Sequence, residues 1–286
     1  MTSASPSPKG GQASQPGELV KRATSGVLLV TLTAILTVAG LWPFTLMIAA
    51  GGAILAWEWG QLTRNRAWDV SFYIHAASVV AACIFTAAAA PAWIPLGLLG
   101  AGMLGVAFLG ASPAERVWSA LGVLYLGIPC CLLIAFRSDP SFGIVAVFFL
   151  FLVVWSADTA AYFVGRTLRG PKLAPAISPG KTWSGFAGGL VVPTLLAYGY
   201  ALWLGGTSAF GVALTGVGLA FASQMGDLAE SAIKRTFDVK DSGKLLPGHG
   251  GLFDRADGLV GAVLAAGCLA WFRNTLTPAQ SFLIWP

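Results

Sequence analysis

The sequence predicts an all-α, polytopic membrane bundle of about nine transmembrane helices. Of its 286 residues, 56% are hydrophobic and only 10% charged, with a mean hydropathy of +0.75, far from the roughly 25% charged content of a soluble domain. The apolar residues also fall in runs of about 20, the length a helix needs to cross a bilayer. Residues 1–18 are rich in Ser, Pro, Gly and Gln, lack apolar periodicity and predict a disordered tail. Lys21 and Arg22 then precede an apolar run in the manner of a signal peptide, but eight more runs follow, so an uncleaved first helix is expected at 24–40. Further spans are predicted at 43–61, 72–90, 92–110, 116–136, 142–165, 184–204, 208–231 and 252–272. Pro91 and Pro95 crowd the turn between the third and fourth, where one span more or fewer would reverse everything downstream.

Basic residues set the orientation. With the N-terminus in the cytosol, fifteen of the seventeen Lys and Arg residues lie inside and only Arg137 and Arg273 outside, which is the asymmetry that fixes topology. The expected arrangement is N-terminus cytosolic and C-terminus outside, with loops 166–183 and 232–251 both cytosolic. Residues 19–140 then read as a lipid-facing scaffold without motifs, and 141–286 as the region that carries chemistry. The sequence pI of about 9.2 is explained by topology and contacts to anionic lipid or nucleotide phosphates, so no nucleic-acid partner is expected. Cys83, Cys130, Cys131 and Cys268 sit in apolar runs without metal spacing and read as packing residues.

Charge is concentrated in one place. Eleven charged residues lie between Asp227 and Asp257, although the whole chain has only seventeen basic and twelve acidic ones. Ionisable groups beside hydrocarbon are costly unless paired, solvated or metal-bound, so such a cluster marks a functional site. Asp227, Glu230, Ser231 and Lys234 follow i, i+3, i+4, i+7 spacing and share one helical face. Asp254 and Asp257 share another, and Asp158 lies near the expected inner end of the sixth span. Carboxylates from several helices without His or Cys suit a hard cation such as Mg2+; interhelical pairing with Lys234, Arg235 and Arg255 is the other reading.

Two loops could meet phosphate. KDSGKLLPGHGG places Lys240 and Lys244 among glycines ahead of a helix start, whose free N–H groups would favour an anion. His249 there could bond a phosphate or nucleotide. The other loop ends in Ser178, Pro179, Gly180, Lys181, Thr182, Trp183. It is not a P-loop, because Pro175 occupies the place of the first glycine and no strand is expected before it. Lys181 is either a phosphate ligand or an ordinary positive-inside lysine. His75 reads as a packing residue, and Glu58, flanked by Trp57 and Trp59, as an interfacial residue in an aromatic belt.

The run from Ser231 to Asp257, SAIKRTFDVKDSGKLLPGHGGLFDRAD, closely resembles the signature of phosphatidate cytidylyltransferases (CDP-diacylglycerol synthases), with its Ser-x-x-Lys-Arg, Lys-Asp, His-Gly-Gly and Asp-Arg-x-Asp elements in order. DTAAYFVGR from Asp158 to Arg166 and SPGKTWSGFAGG are also similar, so the resemblance spans about 155–260. Ala256 departs from it, standing where a larger apolar residue is usual. The resemblance implies conversion of CTP and phosphatidic acid to CDP-diacylglycerol and pyrophosphate with Mg2+, with little need of a general base because the attacking phosphate oxygen is already ionised. It further implies metal binding by Asp227, Asp254, Asp257 and Asp158 with room for a second cation, and phosphate contacts from Lys181, Lys234, Arg235, Lys240 and Arg255, with Ser178, Ser231 and His249 at the substrates. A homodimer in the bacterial inner membrane, among membrane lipids, completes the expectation.

Other classes fit less well. CDP-alcohol phosphatidyltransferases begin their motif DGxxAR, whereas Asp257 and Gly258 are followed here by Leu259, Val260, Gly261 and Ala262. Another CTP-dependent lipid nucleotidyl- or phosphotransferase is the nearest alternative. A transporter of anionic solutes would place its charges near the bilayer midplane.

Overall fold

An apolar run in lipid has no hydrogen-bond partner but its own backbone, so each such run closes on itself as a helix. The computed structural model describes residues 16–240, 242–243, 250–273 and 277–286. Among these, every expected span is a helix: α1 (Pro16–Ala39), α2 (Leu41–Arg64), α3 (Val70–Ala87), α4 (Trp93–Leu109), α5 (Pro113–Arg137), α6 (Gly143–Leu168), α7 (Trp183–Leu204), α8 (Ala209–Thr236) and α9 (Phe253–Arg273), followed by a short α10 (Gln280–Leu283). Seven of them, α2, α3 and α5 to α9, are long and apolar enough to cross a membrane, while α4 and the apolar part of α1, Gly26–Ala39, are shorter. Large side chains such as Phe108, Trp203 and Phe210 face outward, as expected of a surface wetted by lipid. The chain is a helical, multi-pass membrane protein.

The helices pack as two sets. α2 to α5 pack against one another, α6 to α9 do the same, and α5 joins the sets by lying against α6 and α9. Polar side chains start several helices: Asp69 accepts from Phe72 N, Ser112 from Glu115 N and Thr182 from Gly185 N, each satisfying an N–H that the helix itself leaves open. Arg64, at the end of α2, is held by two bonds to Asp69 at 3.0 and 3.1 Å and one to Ser119 at 3.2 Å. Burial pushes the Asp69 carboxyl up, but the Arg64 bonds and the Phe72 N–H outweigh it and leave the group below its ordinary 3.8.

Three expectations need correction. First, within the helical bundle, β1 (Lys172–Ala174) and β2 (Ser178–Thr182) form an antiparallel hairpin, with Lys172 opposite Thr182, where no strand was expected. A strand therefore does precede Gly180-Lys181-Thr182, yet it turns back on β2 instead of feeding a phosphate loop. Second, α6 and α8 run past their predicted ends, to Leu168 and Thr236, since Lys234 and Arg235 suit the negative end of a helix as well as they suit a loop. Third, α1 begins at Pro16, inside the stretch expected as tail.

Candidate active site

Close backbone approach brings the acidic residues together. α8 and α9 meet at Gly226 and Gly261: a Cβ on Gly226 would lie 2.5 Å from Asp257 O, and one on Gly261 would collide with Ala222 O. Only glycine permits this spacing, and it sets Asp227 beside Asp257. Asp227, Glu230 and Asp257 each offer an oxygen within 4.8 Å of the others. Glu230 is 1% exposed; one oxygen accepts from Lys234 Nζ at 2.8 Å, and Oε1 has no donor among the described residues. An all-oxygen set with a vacant, buried lone pair fits a hard cation. Asp158, on α6, is exposed and within electrostatic reach of Asp227, Lys181 and Arg255.

The hairpin delivers Lys181. α6 and α7 touch through Gly165 and Gly185, where a Cβ on Gly185 would lie 2.7 Å from Ala161 O, and the Thr182 cap fixes the start of α7. Lys181, the preceding residue on β2, reaches Asp227 Oδ2 at 2.7 Å. Arg235 Nε donates to Ile177 O at 3.2 Å, tying the hairpin turn to α8. Ser178 and Ser231 are half-buried near these elements, and Lys240 is exposed. His249 lies outside the described residues, as do Asp241 and Lys244.

Asp254 lies beside Glu230 at the edge of the acidic triad and shares Lys234 with it. Its Oδ1 accepts from Lys234 Nζ at 2.7 Å, and Oδ2 from Gly251 N at 2.9 Å and Ser242 N at 3.2 Å. Its lone pairs are thus largely spoken for by the protein. Asp257, by contrast, takes only its neighbour Gly258 N at 2.7 Å among the described donors.

The expected phosphate cradle at the start of α9 is already filled by carboxylates. Leu252 N and Phe253 N donate to Glu58 Oε1 and Oε2 at 2.8 and 2.7 Å, while Gly251 N serves Asp254. The glycines permit this: a Cβ on Gly251 would lie 2.8 Å from both Glu58 oxygens, and one on Gly243 2.9 Å from Oε1. Gly250, at φ +81, would meet Asp254 Oδ2 at 2.7 Å. Glu58 is not an interfacial residue either, being 1% exposed. Its neighbour Trp59 packs edge-on against Phe253 at 5.7 Å, so α2 reaches the site and is more than lipid-facing scaffold. His75 is buried as expected, though its Nε2 has no hydrogen-bond partner among the described residues.

Sequence reasoning places Glu230 on the right face without a role of its own, and it misses Glu58 and Tyr125. The Tyr125 hydroxyl is buried without a hydrogen-bond partner among the described residues, in reach of the Asp257 and Glu230 charges. For Glu58 the available signal was a lone carboxylate in an apolar run; the aromatic neighbours disguised it.

Known proteins resemble this chain over most of its length. Residues 20–272 match the cytidylyltransferase family. The phosphatidate cytidylyltransferase of Brucella suis biovar 1 (strain 1330) is 41% identical over 252 residues, covering 85% of this chain and 90% of its own. That of Brucella melitensis biotype 1 is 41% identical with the same coverage. The Bacillus subtilis (strain 168) protein of that name is 42% identical over 149 residues, 48% of this chain and 51% of its own. This chain belongs to the cytidylyltransferase family.

Proposed function

We propose that the protein is a phosphatidate cytidylyltransferase, joining CTP and phosphatidic acid into CDP-diacylglycerol with release of pyrophosphate. The observation that carries the reading is the juxtaposition of Asp227, Glu230 and Asp257 with Lys181 and Lys234, at 41% identity to enzymes named for that activity. In the reaction a phosphatidate oxygen attacks the α-phosphorus of CTP. The bond from that phosphorus to the bridging oxygen breaks, and pyrophosphate leaves with the electron pair. The attacking oxygen is already ionised, so the residues act by alignment and charge compensation and not as a general base.

Asp227, Glu230 and Asp257 would hold Mg2+, with Asp158 beside them. Bound there, Mg2+ would neutralise charge on the nucleotide phosphates. Asp254 keeps Lys234 aimed inward through the 2.7 Å bond between them. Lys181 and Lys234 hold phosphate oxygens, exchanging carboxylate partners for substrate as it arrives. Arg235, Arg255, Lys240 and His249 lie further along the same loop and helix ends, where they would attract the nucleotide, and Ser178 and Ser231 line the approach. The site opens to the cytosol, where CTP is found, in a nine-span, N-inside arrangement in the bacterial inner membrane; the fifteen-to-two division of basic residues supports this orientation.

The test is purified protein with CTP, phosphatidic acid and Mg2+, followed by lipid and pyrophosphate analysis. CDP-diacylglycerol and pyrophosphate should appear in equal amounts. Neither product, under conditions where a family member turns over, would overturn the reading.

A further inference from the structure

We propose that Glu58 is a positioning residue for the reaction: from α2, in the half of the chain without motifs, it occupies the anion seat at the start of α9 and so fixes Asp254 and Lys234. The start of a helix presents open N–H groups and a partial positive charge, and would otherwise draw a phosphate. Here that seat is taken by a protein carboxylate, 1% exposed, bonded to Leu252 N and Phe253 N at 2.8 and 2.7 Å. The next residue is Asp254, which holds Lys234 at 2.7 Å. A chain of three contacts therefore runs from Glu58 through the α9 backbone and Asp254 to the Lys234 ammonium.

Two consequences follow from the geometry. The substrate phosphates are excluded from the α9 terminus and left to the lysines, which lie on the side of the acidic triad. The orientation of Asp254 also depends on a residue some two hundred positions away in the chain, held in place by Trp59 packed on Phe253 and on Tyr125. Glutamine cannot replace the carboxylate here, because its amide NH2 would oppose one of the two N–H donors and leave it unsatisfied. The inference rests on the proposed function only for the role of Lys234.

Three variants test it: Glu58→Gln, Gly243→Ala, whose Cβ would press on Glu58 Oε1 from 2.9 Å and on no other described residue, and Lys234→Met as a control on the site itself. Amide hydrogen exchange at Leu252 and Phe253, thermal stability and kcat/KM for CTP are read together. Glu58→Gln should speed exchange at those two amides and lower kcat/KM by about 10²-fold, the scale of a misplacement of about 1 Å, with the loss exceeding any loss of folded protein. Gly243→Ala should give the same pattern with the carboxylate still present, and it carries the test if Glu58→Gln fails to fold. If both variants keep kcat/KM per folded molecule within a factor of about two while Lys234→Met is inactive, Glu58 is structural only and the inference falls alone. Should Lys234→Met remain active, the site reading falls instead.

Discussion

Lys181 Nζ lies 2.7 Å from Asp227 Oδ2, a contact that pins a two-stranded hairpin to the C-terminal half of α8. Asp227 is nine residues from the end of that helix at Thr236, about 14 Å along its axis, so the lysine reaches well in from the helix end. Both side chains are partly exposed, and such a pair contributes little to stability by itself, so the lysine is free to exchange its carboxylate for a phosphate in the proposed reaction.

Lys181→Ala should therefore lower kcat/KM for CTP by about 10²-fold or more, the usual effect of losing a charged donor to a transferring phosphate. Lys172→Ala is the control: Lys172 lies on the partner strand of the hairpin, is exposed, and acts only by general attraction to anionic lipid, about 1 kcal/mol shared with its neighbours. Steady-state kinetics of the two variants decide. Equal small losses would reduce Lys181 to a topology residue.

The helices were legible because length and apolarity alone determine them. Asp227, Lys234, Asp254 and Asp257 were legible because charge beside hydrocarbon stands out. Glu58 was hidden by the same logic, since its partners at Leu252 and Phe253 are distant in sequence and nothing local marks the pairing. Gly243, Gly250 and Gly251 were correctly read as sites of close approach, but the approaching anions belong to Glu58 and Asp254, and residue spacing cannot distinguish a protein carboxylate from a phosphate. The hairpin escaped notice because strands of three and five residues containing Pro179 and Gly180 have no period to detect.

Asp69→Asn should destabilise the protein at neutral pH by about 2–3 kcal/mol, because the Arg64 guanidinium stays buried without its counter-charge. The carboxyl is held below its ordinary 3.8 in the folded state, so its contribution is present above that value and is lost as pH falls through the folded one. Melting temperatures of parent and variant should differ by a constant amount from pH 7 to about pH 5, and converge below pH 4. A gap that persisted in acid would show that packing, not charge, holds the pair.

Orientation is checked by single cysteines in a background lacking Cys83, Cys130, Cys131 and Cys268. Ala176→Cys in the hairpin turn and Thr236→Cys at the end of α8 should react with impermeant reagents only from the cytosolic side. Ser138→Cys, exposed between α5 and α6, should react only from outside. Labelling of Ala176→Cys from outside would reverse the orientation drawn from the basic residues.

Metal dependence separates Asp227 and Asp257 from Asp254. Asp227→Asn and Asp257→Asn each remove an oxygen from the triad whose members lie within 4.8 Å, so both should raise the Mg2+ concentration for half-maximal activity by about tenfold or more, as loss of a charged ligand weakens a hard-cation site. Asp254→Asn acts differently. Its oxygens are engaged by Lys234, Gly251 and Ser242, and the variant should lose kcat, through a misdirected Lys234, without moving the Mg2+ midpoint. Glu230→Gln is the informative companion: its Oε1 lacks a donor and its Oε2 accepts from Lys234, so both the midpoint and kcat should change. Mg2+ titrations of activity, with metal binding measured separately by calorimetry without substrate, discriminate these outcomes. An Asp254→Asn variant whose midpoint shifts as far as that of Asp257→Asn would make Asp254 a metal ligand, requiring it to release Lys234 when the ion binds.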